Sequence, residues 1–464
     1  MLEYINMSKR YEIVRNYKWL ILPLFLLSAI TAAFSMAAST QAEMRASTVS
    51  VALPRIIVNN QGGFSKVGGR TPQPVKLRGA NYVRLAEGPN GSSYHSTFEP
   101  LKYDHNAAVA MFQQMKRDGY NVVRVFIDPG VTDANNAHGI GRGNGTSGYI
   151  YDPYMQNFVK FAKAASEHGI YVIPVLDAFP QNDTYRQTIQ DTIRGEGVGN
   201  MGGRNIQYLN KGYVKAKAEY MKQFAQSFKK MTNGQYSTVI AAYQTDNEVY
   251  FEDTAAPYNT MSGTVKPVNG VTYDMSSPAQ RQQSADASLV EYVRQLKESL
   301  RQADSEALMT IGFFTNYAVG KQSFNGFIRP ANNQDGRFPG RAAAVSRSPI
   351  AGVDFIDMHV YKNTLNYDVN ADLATSERNL FAKPFMIGEM GTLRSLYNND
   401  VTRGAYAMRD LQIATCKQGA QGWAYWTWNT TENLASQPLF FNMMESRGAL
   451  NGLQAPVVRP DPCK

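Results

Sequence analysis

From residue 75 onward, short apolar runs alternate with longer amphipathic ones. Eight of the short runs read as buried strands: Lys76 to Arg84, Asn121 to Asp128, Tyr171 to Asp177, Val239 to Gln244, Leu308 to Phe314, Asp354 to Tyr361, Phe385 to Glu389 and Trp423 to Trp428. Being apolar on both faces, they suit a parallel sheet covered by helices. The intervening stretches carry helical spacing. Ala108 to Asp118 places Ala108, Met111, Phe112 and Met115 on one face, and Gly119 stops it. Asp152-Pro153 opens a second helix with Phe158, Phe161, Ala162 and Ala165 inward. Gly212 to Met231, Ala279 to Ala303 and Thr402 to Lys417 continue the series. After the last strand only a short helix, Ala449 to Leu453, is visible, so the closing unit has the weakest pattern. The fold class predicted is α/β, a (β/α)₈ barrel with its core at about residues 75–430. A hairpin ahead of it, Val49 to Val58 followed by Val75, is expected to plug the barrel bottom.

Connections after strands are much longer than those before them. Residues 129–151, 178–210, 249–277 and 315–350 are rich in Gly, Asn and polar side chains, as expected where loops build a binding mouth on one barrel face. The glycine cluster Gly139 to Gly145 does not open a helix with GxGxxG or Walker spacing, which argues against a phosphate cradle.

With 464 residues, 43% hydrophobic and 18% charged, the chain can bury one large core, and one elaborated barrel accounts for residues 43–464. The first 42 residues read differently. Lys9, Arg10, Arg15 and Lys18 precede an apolar run from Trp19 to Ala38, with small-residue cleavage sites ending at Ala37 or Ala42. At 20 residues the run also suits a membrane anchor. Signal peptide and retained anchor stay open, and either exports the body. These four bases against Glu3 and Glu12 account for +2 of the net +9, leaving +7, and no dense Lys/Arg run follows, so nucleic acid is not an expected partner. Cys416 and Cys463 are the only cysteines; one bridge or two free thiols both fit an exported chain.

Two strand-like runs end on glutamates, in Asp246-Asn247-Glu248 and in Ile387-Gly388-Glu389. A barrel gathers strand ends around one mouth, so carboxylates distant in sequence meet there, as a two-carboxylate glycosidase requires. Either glutamate alone would more often be a solvated cap. The five histidines form no HxH or HExxH pattern, and neither metal nor cofactor is expected.

The motifs Leu77-Arg78-Gly79-Ala80-Asn81, Asn121-Val122-Val123-Arg124, Asn247-Glu248, His359-Val360-Tyr361, Gly388-Glu389 and Trp426 fall in order on successive strand ends. Together they resemble the clan A retaining glycoside hydrolases, most closely family 5, the cellulase and mannanase family. The resemblance implies Glu248 as general acid/base, with a pKa raised by its surroundings. It implies Glu389 as nucleophile, kept ionised by Arg124 and the Tyr361 hydroxyl. Asn247 would hold the sugar 2-hydroxyl, Trp426 would stack beneath the sugar, and His359 would contact substrate. Trp428 shares the face of Trp426 if the strand is regular, and then either assists there or sits in the next layer, which stays open. Asp128 and Asp177 also end strands and suit either a sugar contact or an ion pair. Many members carry a histidine near the end of strand three and a proline after the Asn-Glu pair; here Asp177-Ala178 and Val249 stand there, which leaves sugar specificity open. The expected partner is a β-linked polysaccharide or oligosaccharide, the expected state a monomer. A noncatalytic glycan-binding barrel and a membrane-tethered hydrolase or transglycosylase of the cell's own exopolysaccharide remain as alternatives.

Overall fold

The computed structural model describes residues 52–88, 93–130, 137–142, 150–429 and 439–460. The segment 1–42 expected to direct export, with its apolar run 19–38, Cys463, and Gly143 to Gly145 lie outside the described residues. Eight parallel strands close a barrel: β1 (Leu77–Tyr82), β2 (Val122–Phe126), β3 (Tyr171–Val175), β4 (Tyr243–Gln244), β5 (Met309–Phe314), β6 (Phe355–Lys362), β7 (Phe385–Thr392) and β8 (Gly422–Tyr425), with β8 hydrogen-bonded back to β1. A helix follows each: α1 (His105–Asp118), α2 (Asp152–Glu167), α3 (Lys211–Met231), α4 (Pro278–Ala303), α5 (Ala342–Arg347), α6 (Val369–Thr375), α7 (Val401–Lys417) and α8 (Glu445–Gln454).

Local chemistry fixes these elements. In α1 the Asp104 carboxylate accepts from the Ala107 N–H at 2.9 Å, the predicted face Ala108, Met111, Phe112 and Met115 is buried, and Gly119 ends the helix at φ 84°, a conformation costly for any residue with a Cβ. Asn210 caps α3, and Ser277 followed by Pro278 starts α4.

Along each strand alternate residues face inward, and the interior sorts into three layers. At the bottom, Leu77, Val122, Tyr171, Ile173, Ala241, Phe355 and Met386 pack with Ile56 and Phe64. The last two belong to an antiparallel sheet of Arg55–Val58, Phe64–Val67 and Gln73–Val75. Phe64 meets the Phe355 ring edge-on at 5.0 Å, and the Pro54 carbonyl accepts from the Tyr171 hydroxyl at 2.6 Å. This is the expected plug, with a third strand added. A polar middle layer holds Asn81, Arg124, Gln244, Asp357 and His359, all at most 1% exposed. Above it Val83, Phe126 and Val175 form a smaller apolar cluster touching Leu85 and Trp426.

Several expectations change. Only Tyr243–Gln244 of the fourth run is regular strand, because Ser237–Val239 winds as a 3₁₀ turn. Its flanks nevertheless stay in the ladder, Ala241 N–H donating to the Val172 carbonyl and Thr245 N–H to that of Thr310. β8 stops at Tyr425, so Trp428 does not share the face of Trp426. It is buried against Tyr120 beneath the barrel wall, rings 5.8 Å apart. The predicted short helix Ala449 to Leu453 is the regular part of α8 and supplies the closing unit; ahead of it the backbone is left-handed at Ser446, Arg447 and Gly448. The long connections are not bare loops: 178–210 holds helices Asp183–Ile193 and Asn205–Leu209, and Tyr250–Glu252 pairs antiparallel with Arg337–Pro339, joining the connections after β4 and β5. Cys416 carries no free thiol. Among the described residues no helix is long and apolar enough to cross a membrane.

Candidate active site

Glu389 owes its direction to an irregularity. Met358 pairs with Ile387 and His359 with Glu389, so Gly388 is an extra residue in β7, and the register against β8 slips at the same place. Without this bulge Glu389 would share the outward face of Ile387; with it the side chain turns into the barrel. There Arg124 Nη1 donates to Oε1 at 2.7 Å and the Tyr361 hydroxyl to Oε2 at 2.5 Å. Burial pushes the Glu389 carboxyl up, while His359 and Arg124 pull it back.

Arg124, from the middle of β2, organises the layer. Its Nε donates to Gln244 Oε1 at 2.8 Å, Nη1 to Asn81 Oδ1 at 2.7 Å and Nη2 to Asn247 Oδ1 at 2.7 Å. Asn81 in turn donates to the carbonyls of Gly388 at 2.8 Å and Tyr425 at 3.2 Å, tying β1 to the bulge. A planar guanidinium with five donors is the side chain able to serve so many acceptors at once.

Glu248 sits in the turn beyond β4, and its side chain keeps 30% of its surface, against 4% for Glu389. Oε1 lies 2.9 Å from His359 Nδ1, and the same nitrogen lies 3.5 Å from Glu389 Oε2. Burial lowers the His359 imidazole, but Glu389, Asp357 and Glu248 outweigh it and hold the ring up at about 10. His359 thus sits between the two glutamates, whose charges favour its protonated form. The turn is anchored from behind: Asp246, buried, accepts from the Tyr292 hydroxyl at 2.7 Å and lies 3.8 Å from Lys217 Nζ. Lys217 also donates to the carbonyls of Leu176 and Ala178. Burial pushes the Asp246 carboxyl up and Lys217 pulls it down.

All seven predicted site residues thus surround one mouth. Arg124, Asn247, Glu248, His359, Tyr361 and Glu389 form one connected network, and Trp426 stands above it with its ring edge-on to Phe126 at 5.8 Å. Asp177 accepts from the Asn247 N–H at 3.3 Å and lies 3.6 Å from Arg204, so it fixes the Asn-Glu turn as well as pairing. Asp128 is structural: it accepts from the Gly130 N–H at 2.7 Å and lies 3.2 Å from His138. Sequence reasoning missed Gln244 and Asp357, and it missed His95, which stacks flat on Phe126 at 4.2 Å. Asp357 had a signal: Asp357, His359 and Tyr361 alternate along one face of an otherwise apolar strand.

Glu248, His359 and Glu389 place one donor atom each within 4.8 Å of one another, close enough to suit a cation. A cation there would have to displace the proton that the neighbouring carboxylates favour on His359.

The sequence matches the family described as Cellulase (glycosyl hydrolase family 5) over residues 86–432. No curated protein sequence matches it. Among solved structures, a glycoside hydrolase family 5 mannosidase from Rhizomucor miehei is 12% identical with a TM-score of 0.50, covering 88% of this chain and 98% of that one. A β-1,4-D-mannanase from Cryptopygus antarcticus is 15% identical, TM-score 0.48, over 87% and 94%. An exo-β-1,4-mannosidase from Opitutaceae bacterium strain TAV5 is 14% identical, TM-score 0.47, over 80% of this chain; this chain spans 55% of its length. At such identities the likeness concerns the fold.

Proposed function

Since the chain belongs to the cellulase family, glycosyl hydrolase family 5, a family of glycosidases acting on O-glycosyl bonds, we propose that it cleaves a β-linked glycan of glucan or mannan type with retention of configuration. One observation carries this reading: an oxygen of Glu248 lies within 4.8 Å of one of Glu389. That is close to the roughly 5–5.5 Å of retaining enzymes and short of the roughly 6.5–9.5 Å that leaves room for a water in inverting ones.

In the first step a Glu389 oxygen bonds to the anomeric carbon as the glycosidic C–O bond breaks, and the Glu248 proton passes to the leaving oxygen. Arg124 and Tyr361 orient the attacking carboxylate and, with His359, oppose the upward push of burial on it. In the second step Glu248, now a base, takes a proton from water; the water oxygen bonds to the anomeric carbon from the opposite face, and Glu389 is released. Asn247, aimed by Arg124 and Asp177, would hold the 2-hydroxyl, and Trp426 would carry the apolar face of the sugar. The basic flank and apolar run ahead of residue 42 support export of the body, secreted, periplasmic or anchored.

The test is proton NMR of the first product released from a panel of β-glucans and β-mannans. A β anomer is expected; an α anomer, or no hydrolysis of any member, would refute the reading. A 2-fluoro glycoside inactivator should label Glu389, and labelling elsewhere would remove its assignment as nucleophile.

A further inference from the structure

Asp357 is absent from the chemistry above, yet it sits at the centre of the layer. It is 1% exposed, and neither carboxylate oxygen has a hydrogen-bond partner of ordinary geometry. Its nearest charged neighbours are His359 Nε2 at 3.4 Å and Arg124 Nε at 3.6 Å. Room for it depends on the bulge: a Cβ added at Gly388 would fall 2.1 Å from both Asp357 oxygens. A carboxylate so enclosed and so weakly bonded contributes little to stability. What it contributes is charge.

Every charged group facing His359 can be named. Glu248 comes from the turn after β4, Glu389 from β7, Asp357 and the neutral Tyr361 from β6, and Arg124 from β2, with Nη2 3.5 Å from His359 Nε2. Arg337, on the strand Arg337–Pro339, also faces Glu248, but Asp335 lies 2.6 Å from its Nη2 and offsets it, so the layer itself sets three carboxyls against two cations. With all three ionised it bears one excess negative charge in a largely buried space open only at Glu248; with one proton added it is neutral. Both Glu389 oxygens already accept from donors, and Asp357 lies enclosed between the cations. Glu248 alone reaches the open mouth, with only Oε1 engaged among the described residues.

We propose that Asp357 is a positioning residue for the catalytic proton: its charge, acting through His359 and Arg124, makes the layer retain one proton, which resides on Glu248. This rests on the reading of Glu248 as the acid. The same count holds through the reaction. Once Glu389 is esterified to the sugar and Glu248 has given its proton to the leaving oxygen, two carboxylates again face two cations. Neutrality is thus kept in both halves of the cycle. Removing Asp357 would leave the layer neutral with both glutamates ionised, and the acid form would be lost at lower pH.

The experiment compares pH profiles of kcat/KM for the full chain and Asp357→Asn, on natural glycan and on a dinitrophenyl β-glycoside whose leaving group needs no proton. On glycan the alkaline limb should move toward acid by about one pH unit or more, so activity falls more at neutral pH than at low pH. On the activated substrate it should not move. An equal fall at every pH on both substrates means a merely structural residue and overturns the proposal. A second readout needs no variant to fold: the imidazole ¹⁵N signals of His359 in the native chain should show both nitrogens protonated at pH 8. A neutral ring there overturns the charge count. A native chain that hydrolyses no β-glycoside removes the acid assignment itself, which an unchanged alkaline limb in an active enzyme does not.

Discussion

The bottom and middle layers of the barrel are built from the same strands, two residues apart, and do opposite things. One step up a strand turns Val122 into Arg124 and Phe355 into Asp357. Below, Ile56, Phe64 and their neighbours are held by shape and by removal from water, a stabilisation of roughly 25 cal/mol per Å² of apolar surface. Above, buried charges offset one another, and the desolvation cost of such groups is recovered at best in part. The lesson is a division of labour along each strand: the lower layer stabilises the barrel, and the middle layer draws on that stability to hold groups in arrangements that water would dissolve.

Substitutions that separate turnover from melting temperature test this division. The largest effect is expected from Glu389→Gln, which should abolish nearly all turnover while melting at or above the native temperature, since a buried carboxyl has been neutralised. A variant that fails to fold would show instead that the middle layer is a structural element. Next, Glu248→Ala should slow cleavage of natural glycan by about 10² to 10⁴ and spare glycosylation by a dinitrophenyl glycoside. Added azide, needing no base, should then restore turnover as a β-glycosyl azide; equal loss on both substrates without rescue would exclude Glu248 as acid/base. At the other end, Phe64→Ala should cost about 3–5 kcal/mol of stability, measured by denaturant unfolding, and leave kcat unchanged wherever the chain is folded. A fall in kcat there would mean the plug shapes the mouth. Smallest is Tyr361→Phe: a hydrogen bond to a charged group contributes about 1.5–3 kcal/mol, so kcat/KM should drop roughly tenfold to a hundredfold with little change in melting.

The barrel was legible because the bottom layer writes itself as apolar runs and the helices as a 3.6-residue repeat. Arg124, Glu248 and Glu389 stood out because a charge that ends or interrupts such a run is conspicuous. What stayed hidden depends on register. Strict alternation assigns Glu389 to the wall side of β7, and nothing in Ile387-Gly388-Glu389 alone announces the bulge that turns it inward. Regular strand geometry also misassigned Trp428, because β8 ends where its apolar run does not. Asp357 was passed over since its motif was read from His359 onward, although its place two residues earlier carries the same inward phase. Of α8 only the regular part from Ala449 was legible, because the left-handed turn at Ser446 to Gly448 interrupts the periodicity by which helices are recognised.

The pairing of Tyr250–Glu252 with Arg337–Pro339 bears on how this scaffold can be rebuilt. Barrel enzymes are commonly diversified one connection at a time, on the premise that each loop is an independent cassette. Here the cassettes after β4 and β5 share a ladder, with Phe251 opposite Phe338 and Glu252 opposite Arg337. A graft replacing either alone would strand its partner's backbone groups at the rim, beside the turn that carries Glu248. The two segments form one unit of inheritance, and a recombination library should cross over outside both.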